Sequence, residues 1–196
     1  MNNVSDKIDF FFKPPTDEPI GPIFSYLYLL RRDIFTSLGY DPNTMNQISY
    51  RVLWPGVMCI LAGIDLLGKY LEGDDIASTV SHRFKKYYKS YFDSEDECEI
   101  IYQLRNSMLH SFGLYSFTHK KGIKTREYFF TLDVRNDNSI VTDNQNNRYT
   151  INIIALCNAF EVSIDRYLAA LRNDKILKIN FEKMFQFYAG MGVRKL

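Results

Sequence analysis

A stretch running from about Tyr50 or Trp54 to Leu71 has an almost wholly apolar interior, with Asp65 as its sole acid. A helix that is hydrophobic all round has no face to offer water, so other elements must wrap it. Its uncharged part, Val52 to Ile64, contains Pro55 and is shorter than the roughly twenty residues that a bilayer crossing needs. The segment therefore reads as the central helix of a folded domain, with no membrane span. A chain of 196 residues can surround it within one domain.

The wrapping elements are mostly helical by period. IGPIFSYLYLLRRDIFTSL sets Ile23, Leu27, Leu30 and Ile34 on one face and ends at Gly39. A shorter basic helix lies around TVSHRFKKYYKSYF. Ser94 and Glu97 form a capping-box pattern, with Glu95, Asp96 and Glu99 adding charge that the helix dipole favours. This predicts a helix from about Glu95 to His110 or Phe112, ended near Gly113. INIIALCNAFEVSIDRYLAALR and FEKMFQFYAG supply two more. After Gly113, before these two, the period falls to two: GLYSFTH and TREYFFTLDV flank the turn KKGIK as a hairpin, followed by an Asn-rich loop and a short strand. Residues 1–19, ending in KPPTDEP, read as an extended and partly ordered arm. The expected architecture is mainly α: one helical bundle over 20–196, with a β insertion at about 113–150.

Composition removes several function classes. Net charge is +1, so no global field draws the protein to nucleic acid or membrane, and any such contact must be local. Cys59, Cys98 and Cys157 are odd in number and far apart among apolar residues, which fits buried thiols in a reducing compartment better than a disulfide frame. The N-terminus lacks a basic start and apolar core of the signal-peptide kind, and a cytoplasmic location is expected. No phosphate-binding glycine loop, paired metal-binding histidines or nucleophile elbow is present, so neither a cofactor nor a metal is expected.

The chemistry concentrates in LRNSMLHSF, where Arg105 is followed by Asn106 and then by His110. A guanidinium is always charged and can hold a phosphate, while an imidazole exchanges a proton near neutral pH. At about 100° per residue, Arg105 falls roughly 40° from Ile101 and points to the apolar side of its helix; Asn106 and His110, four apart, share a more polar face. An arginine aimed at an apolar seam needs an anion. That anion can be a substrate phosphate or an internal acid such as Asp65, and an interface arginine of an inert dimer remains a third reading.

This Arg-polar-x-x-x-His pattern resembles the signature of the HEPN superfamily (higher eukaryotes and prokaryotes nucleotide-binding domains), whose motif is Arg-x(4–6)-His on a helix of a small bundle. The likeness is specific in these residues; the rest of the chain matches only as a set of helices. It implies a homodimer joined at the motif helix, with two motifs forming one cleft. Arg105 would then hold the scissile phosphate, His110 would take the 2′-OH proton, and Asn106 would orient the imidazole. The implied activity is metal-independent cleavage of RNA to 2′,3′-cyclic phosphate and 5′-hydroxyl ends, in a toxin or phage-defence setting with an antitoxin or other partner protein. The alternative is a non-catalytic module of the same kind that dimerises and binds RNA, nucleotide or a partner protein.

Two basic clusters are candidates for tracking an RNA backbone. One joins His82, Arg83, Lys85, Lys86 and Lys89 with Tyr87, Tyr88 and Tyr91; the other is the hairpin turn from His119 to Arg126, including Lys120, Lys121 and Lys124. The competing reading of the first is a solvated helix face whose tyrosines pack inward.

Overall fold

The computed structural model describes residues 3–17, 23–48, 51–120, 122–135 and 137–192. The first element corrects the expected extended arm, for Val4–Phe11 is a helix, α1, capped by the Asn3 side chain accepting from Asp6 N–H. Ile8, Phe11 and Phe12 recur at helical spacing and are buried. The Phe11 ring packs 4.4 Å from that of Tyr70 and 5.6 Å from that of Phe181, so partners far along the chain stabilise a segment whose prolines suggest no order. The last part of that arm, Glu18 and Pro19, lies outside the described residues.

Ile23–Ser25 forms a short strand, β1, where helix was expected; the helix proper, α2, runs Tyr26–Ser37. Ser25 divides the two. Its Oγ caps α2 by accepting from Tyr28 N–H and donates to the Phe11 carbonyl, 2.8 Å away. Gly39, at φ +82°, stops the helix as its position suggests.

The central helix α3 spans Leu53–Glu72. It has the length and hydropathy of a membrane-crossing helix, yet 56% of its most apolar stretch is buried inside the fold. Gly68 lets α4, Val80–Tyr91, approach its backbone: a Cβ there would stand 2.7 Å from the Arg83 carbonyl oxygen. Gly63 takes the Phe160 ring in the same way, at 2.5 Å.

Helix α5 spans Cys98–Ser111 and starts later than its sequence suggests. The capping box does not form. Glu97 sits at the cap position with helical backbone, its carboxylate turned away to the Val141 backbone and the Tyr88 hydroxyl. At the far end the left-handed residue is Phe112, at φ +47°, not Gly113. Ser107 secures this turn: its carbonyl accepts from Gly113 N–H and its hydroxyl donates to the Gly113 carbonyl.

The β insertion is larger than a hairpin. Strands β2 (Tyr115–Lys120), β3 (Ile123–Asp133), β4 (Val141–Asp143) and β5 (Arg148–Asn152) form one mixed sheet in the order β2-β3-β5-β4, with β3 and β5 parallel. Tyr128, Phe130, Tyr149 and Ile151 bury its inner face in the same core cluster as the helices. Asn152 caps α6, Ile153–Asn173; Asp174 caps α7, Lys175–Tyr188; and a last strand, β6 (Gly190–Gly192), pairs antiparallel with β1. The fold is mainly α among the described residues, as the periodicity predicts. Burial pushes the thiols of Cys98 and Cys157 up, to about 11 and about 12.

Candidate functional site

Arg105 leaves the middle of α5 toward α3, as its helical phase requires, and meets the one acid that α3 carries within its apolar run. Its Nε and Nη2 donate to the same oxygen, Asp65 Oδ2, at 2.9 and 2.6 Å. Both side chains are largely buried. The remaining nitrogen, Nη1, faces the other way. It lies 3.3 Å from Asn106 Oδ1 and 2.7 Å from His110 Nε2. One guanidinium therefore joins the three motif residues that the helical projection divides between two faces: Asn106 and His110 meet through Arg105.

The chemistry of the pair sets the roles. Arginine has no acceptor, so Nη1–H donates and Nε2 accepts through its lone pair. In this arrangement the imidazole is in its Nε2-unprotonated, basic form, the tautomer following from the hydrogen bond. Asp65 lies on the opposite side. Burial raises its pKa above the usual 3.8 despite the guanidinium beside it, and its second oxygen, Oδ1, is buried without a hydrogen-bond partner.

Asp65 and Arg105 line a cleft of about 800 Å³ between α2, α3, α4 and α5. Leu29, Leu30, Leu66 and Leu109 provide apolar lining, and Lys69, Asp75 and Arg83 charged lining. His110 does not line the cleft and is exposed, so Arg105 is shared between the cleft and the exposed end of the helix. Lys69 and Asp75, which the sequence reading missed, form an ion pair of 3.1 Å that Tyr188 supports by donating to Asp75. The one available signal was Lys69 four residues beyond Asp65, one turn further along the same helix face.

The basic cluster on α4 is corrected in part. Arg83 is buried, paired with the Asp75 carboxylate at 3.0 Å and donating to the carbonyls of Asp75 and Ser78. It locks the loop before α4 and is not free for RNA. Lys85 pairs with Glu99 at 2.6 Å, and Lys86 pairs with Glu72. Lys89 is exposed near the end of the helix, as is His82 near its start. Tyr87 and Tyr88 are fully buried, so they pack the core and stack no bases. In the hairpin, His119 and Lys124 are exposed; Lys121 and the side chain of Lys120 lie outside the described residues.

Comparisons with known proteins find no matching family model, no matching curated protein and no matching solved structure.

Proposed function

We propose that this chain is an endoribonuclease of the HEPN kind that cleaves RNA without a metal by attack of a 2′-OH on the adjacent phosphate. The observation that carries this reading is the 2.7 Å contact between Arg105 Nη1 and His110 Nε2, at the exposed end of a buried helix. It joins a phosphate-binding cation and a proton acceptor, two of the groups that the reaction requires. A phosphate oxygen arriving at Nη1 competes with the imidazole for that donor. The freed Nε2 lone pair then takes the 2′-OH proton, and the guanidinium, anchored by Asp65, stabilises charge on the five-coordinate phosphorus.

A proton must also reach the departing 5′-oxygen. In a two-fold dimer around the motif helix, that donor is His110 of the partner subunit. DNA lacks the attacking hydroxyl and resists. The setting that the family resemblance suggests is a cytoplasmic toxin or phage-defence effector, held by an antitoxin or another partner protein.

The test is incubation of purified protein with mixed RNA in EDTA, with end-group analysis of the products. Cleavage leaving 2′,3′-cyclic phosphates supports the proposal, and intact RNA at micromolar protein overturns it. The Asp65–Arg105 ion pair favours a second reading, a dimerising RNA- or nucleotide-binding module in which Arg105 is structural. RNA bound but never cut is its signature.

A further inference from the structure

In a sheet packed on one side, side chains facing the core are apolar and those facing water are polar. Strand β2 inverts this. Ser116 is buried, donating at 2.7 Å to Gln103 Oε1 on α5, while Tyr115 and Phe117 to either side are 36% and 42% exposed. Further into the sheet, Tyr128 on β3 and Tyr149 on β5 are each 2% exposed. A slip of one residue would bury the two rings and release the serine. The Gln103 bond holds the register that keeps them out.

The exposed rings form a row with His119 and Phe129. Phe117 lies 4.6 Å from His119 and 5.8 Å from Tyr115, and Tyr115 lies 5.1 Å from Phe129, its partner across the strands. One cation stands against the middle of the row and another at its Phe129 end. Lys124 Nζ stands 5.1 and 5.3 Å from the centres of the Tyr115 and Phe117 rings, and the Arg148 guanidinium 5.3 Å from that of Phe129. One acid, Glu127, lies among them; it accepts from the Tyr115 hydroxyl and from Lys124 and so holds that ring and that ammonium in place. Between this row and His110 the chain passes only the four residues Ser111 to Leu114, among them Phe112, 71% exposed on its left-handed backbone.

We infer that the outer face of this sheet is a stacking platform for single-stranded RNA leading into the Arg105–His110 end of α5. Rings spaced along a strand offer π-faces to successive unpaired bases, and cations beside them hold the phosphates between. An aromatic face without flanking cations would suit an apolar protein partner; this one complements a polyanion. The choice of RNA rests on the nuclease reading, while the stacking surface does not.

The probe is a fluorescent single-stranded oligonucleotide of about twelve nucleotides, within the span such surfaces cover. Every 2′-position is methylated, so the proposed chemistry cannot consume it. Anisotropy titration of the wild type should show binding. Phe117→Leu and Tyr115→Leu, which keep an apolar side chain and remove the ring, should each weaken it roughly 5- to 150-fold, the range for one lost base stack. Phe117→Tyr should bind like the wild type, and a duplex of the same sequence should compete poorly because its bases are already stacked. Leucine variants of unchanged affinity overturn the platform, as does equal competition by duplex. Self-association lost in Phe117→Leu with RNA affinity untouched also overturns it. Wild type that binds but never cleaves, with binding lost in the leucine variants, leaves the platform standing and removes the nuclease.

Discussion

Arg31 and Arg105 each leave one helix to meet an acid on a neighbouring helix, and both are mostly buried. At the seam of α2 and α6, Arg31 is closed on itself. Its Nε reaches both oxygens of Glu161, at 3.1 and 3.0 Å, and its Nη1 rests against the Phe12 carbonyl. At the seam of α3 and α5, Arg105 spends two nitrogens on a single oxygen of Asp65, leaves the other oxygen unpartnered, and turns Nη1 to an exposed histidine. A pair that satisfies every donor and acceptor it can reach fixes a fold. A pair that holds its guanidinium by one edge and offers the other is built like a binding group on a buried anchor.

The largest effect should come from the group that only the second pair has. His110→Ala is expected to lower RNA cleavage by about two to four orders of magnitude, the usual worth of a proton-transfer group. The melting temperature should hardly move, because His110 is exposed. Cleavage retained in that variant would reduce the difference between the two arginines to packing.

Exchanging the arginines themselves should separate their roles. Arg31→Ala strands the Glu161 carboxylate and should cost about 3–5 kcal/mol in stability, with cleavage per folded molecule unchanged. Arg105→Ala should lower cleavage by about two to three orders of magnitude and destabilise less than Arg31→Ala. Asp65 already has a raised pKa, and by taking a proton it can shed the charge left behind. Chemical denaturation and cleavage assays on both variants check this; equal losses in both assays for both variants would erase the distinction.

The acids of the cleft offer a subtler test. Burial raises the pKa of Asp65 above the ordinary 3.8 and outweighs Arg105. Burial also opposes ionisation of Asp75, but Tyr188, Lys69 and Arg83 together hold its pKa below that value. The signs are opposite. The folded state grips the Asp65 proton more tightly than the unfolded chain does, so this group favours folding most below pH 3.8, and that contribution is lost as pH rises through its raised pKa. Asp75 contributes fully above pH 3.8 and loses its contribution as pH falls through its lowered pKa. Carboxyl-carbon NMR should place the Asp65 midpoint above that of Asp75. A reversed order would make Asp65 a fully satisfied structural acid.

The smallest effect belongs at the other end of α5. Ser94→Ala should change stability by less than about 0.5 kcal/mol, because no capping box forms there. A loss of 1 kcal/mol or more in urea denaturation, about the usual worth of a cap, would mean that the helix starts earlier and that its motif end is set from both termini.

Local chemistry was legible where the decisive neighbours lie close in sequence. The apolar length of α3, the Arg105–Asn106–His110 spacing and the stop at Gly39 are all of this kind. The Asp65 partner was legible too, since the central run holds no other acid. What escaped depends on distant partners. α1 exists because Tyr70 and Phe181 receive Phe11. β1 replaces the first turn of a helix because Gly190–Gly192 pairs with it. Arg83 reads as a surface cation until Asp75 and the Ser78 carbonyl close on it. The alternation in β2 was plain, but which set faces inward is decided by Gln103, on a different element.

The pairing of Ser25 with Gly190 has a consequence for how the chain comes to be folded. It closes a loop of roughly 165 residues, and at equilibrium such length costs little more than a loop half as long, about 0.6 kcal/mol per doubling. Biosynthesis feels it differently. At about 5–20 residues per second, the ribosome needs on the order of ten to forty seconds to deliver a chain of this size. α3 emerges about a hundred residues ahead of α7, which packs against it, and β6 follows α7. Among the described helices α3 is the most apolar; α2 and α4 can cover much of it early, but the face it gives to α7 waits for that later helix. Until α7 is made, the nascent chain exposes an apolar face of Leu53–Glu72, and holdase binding during synthesis has a defined target there.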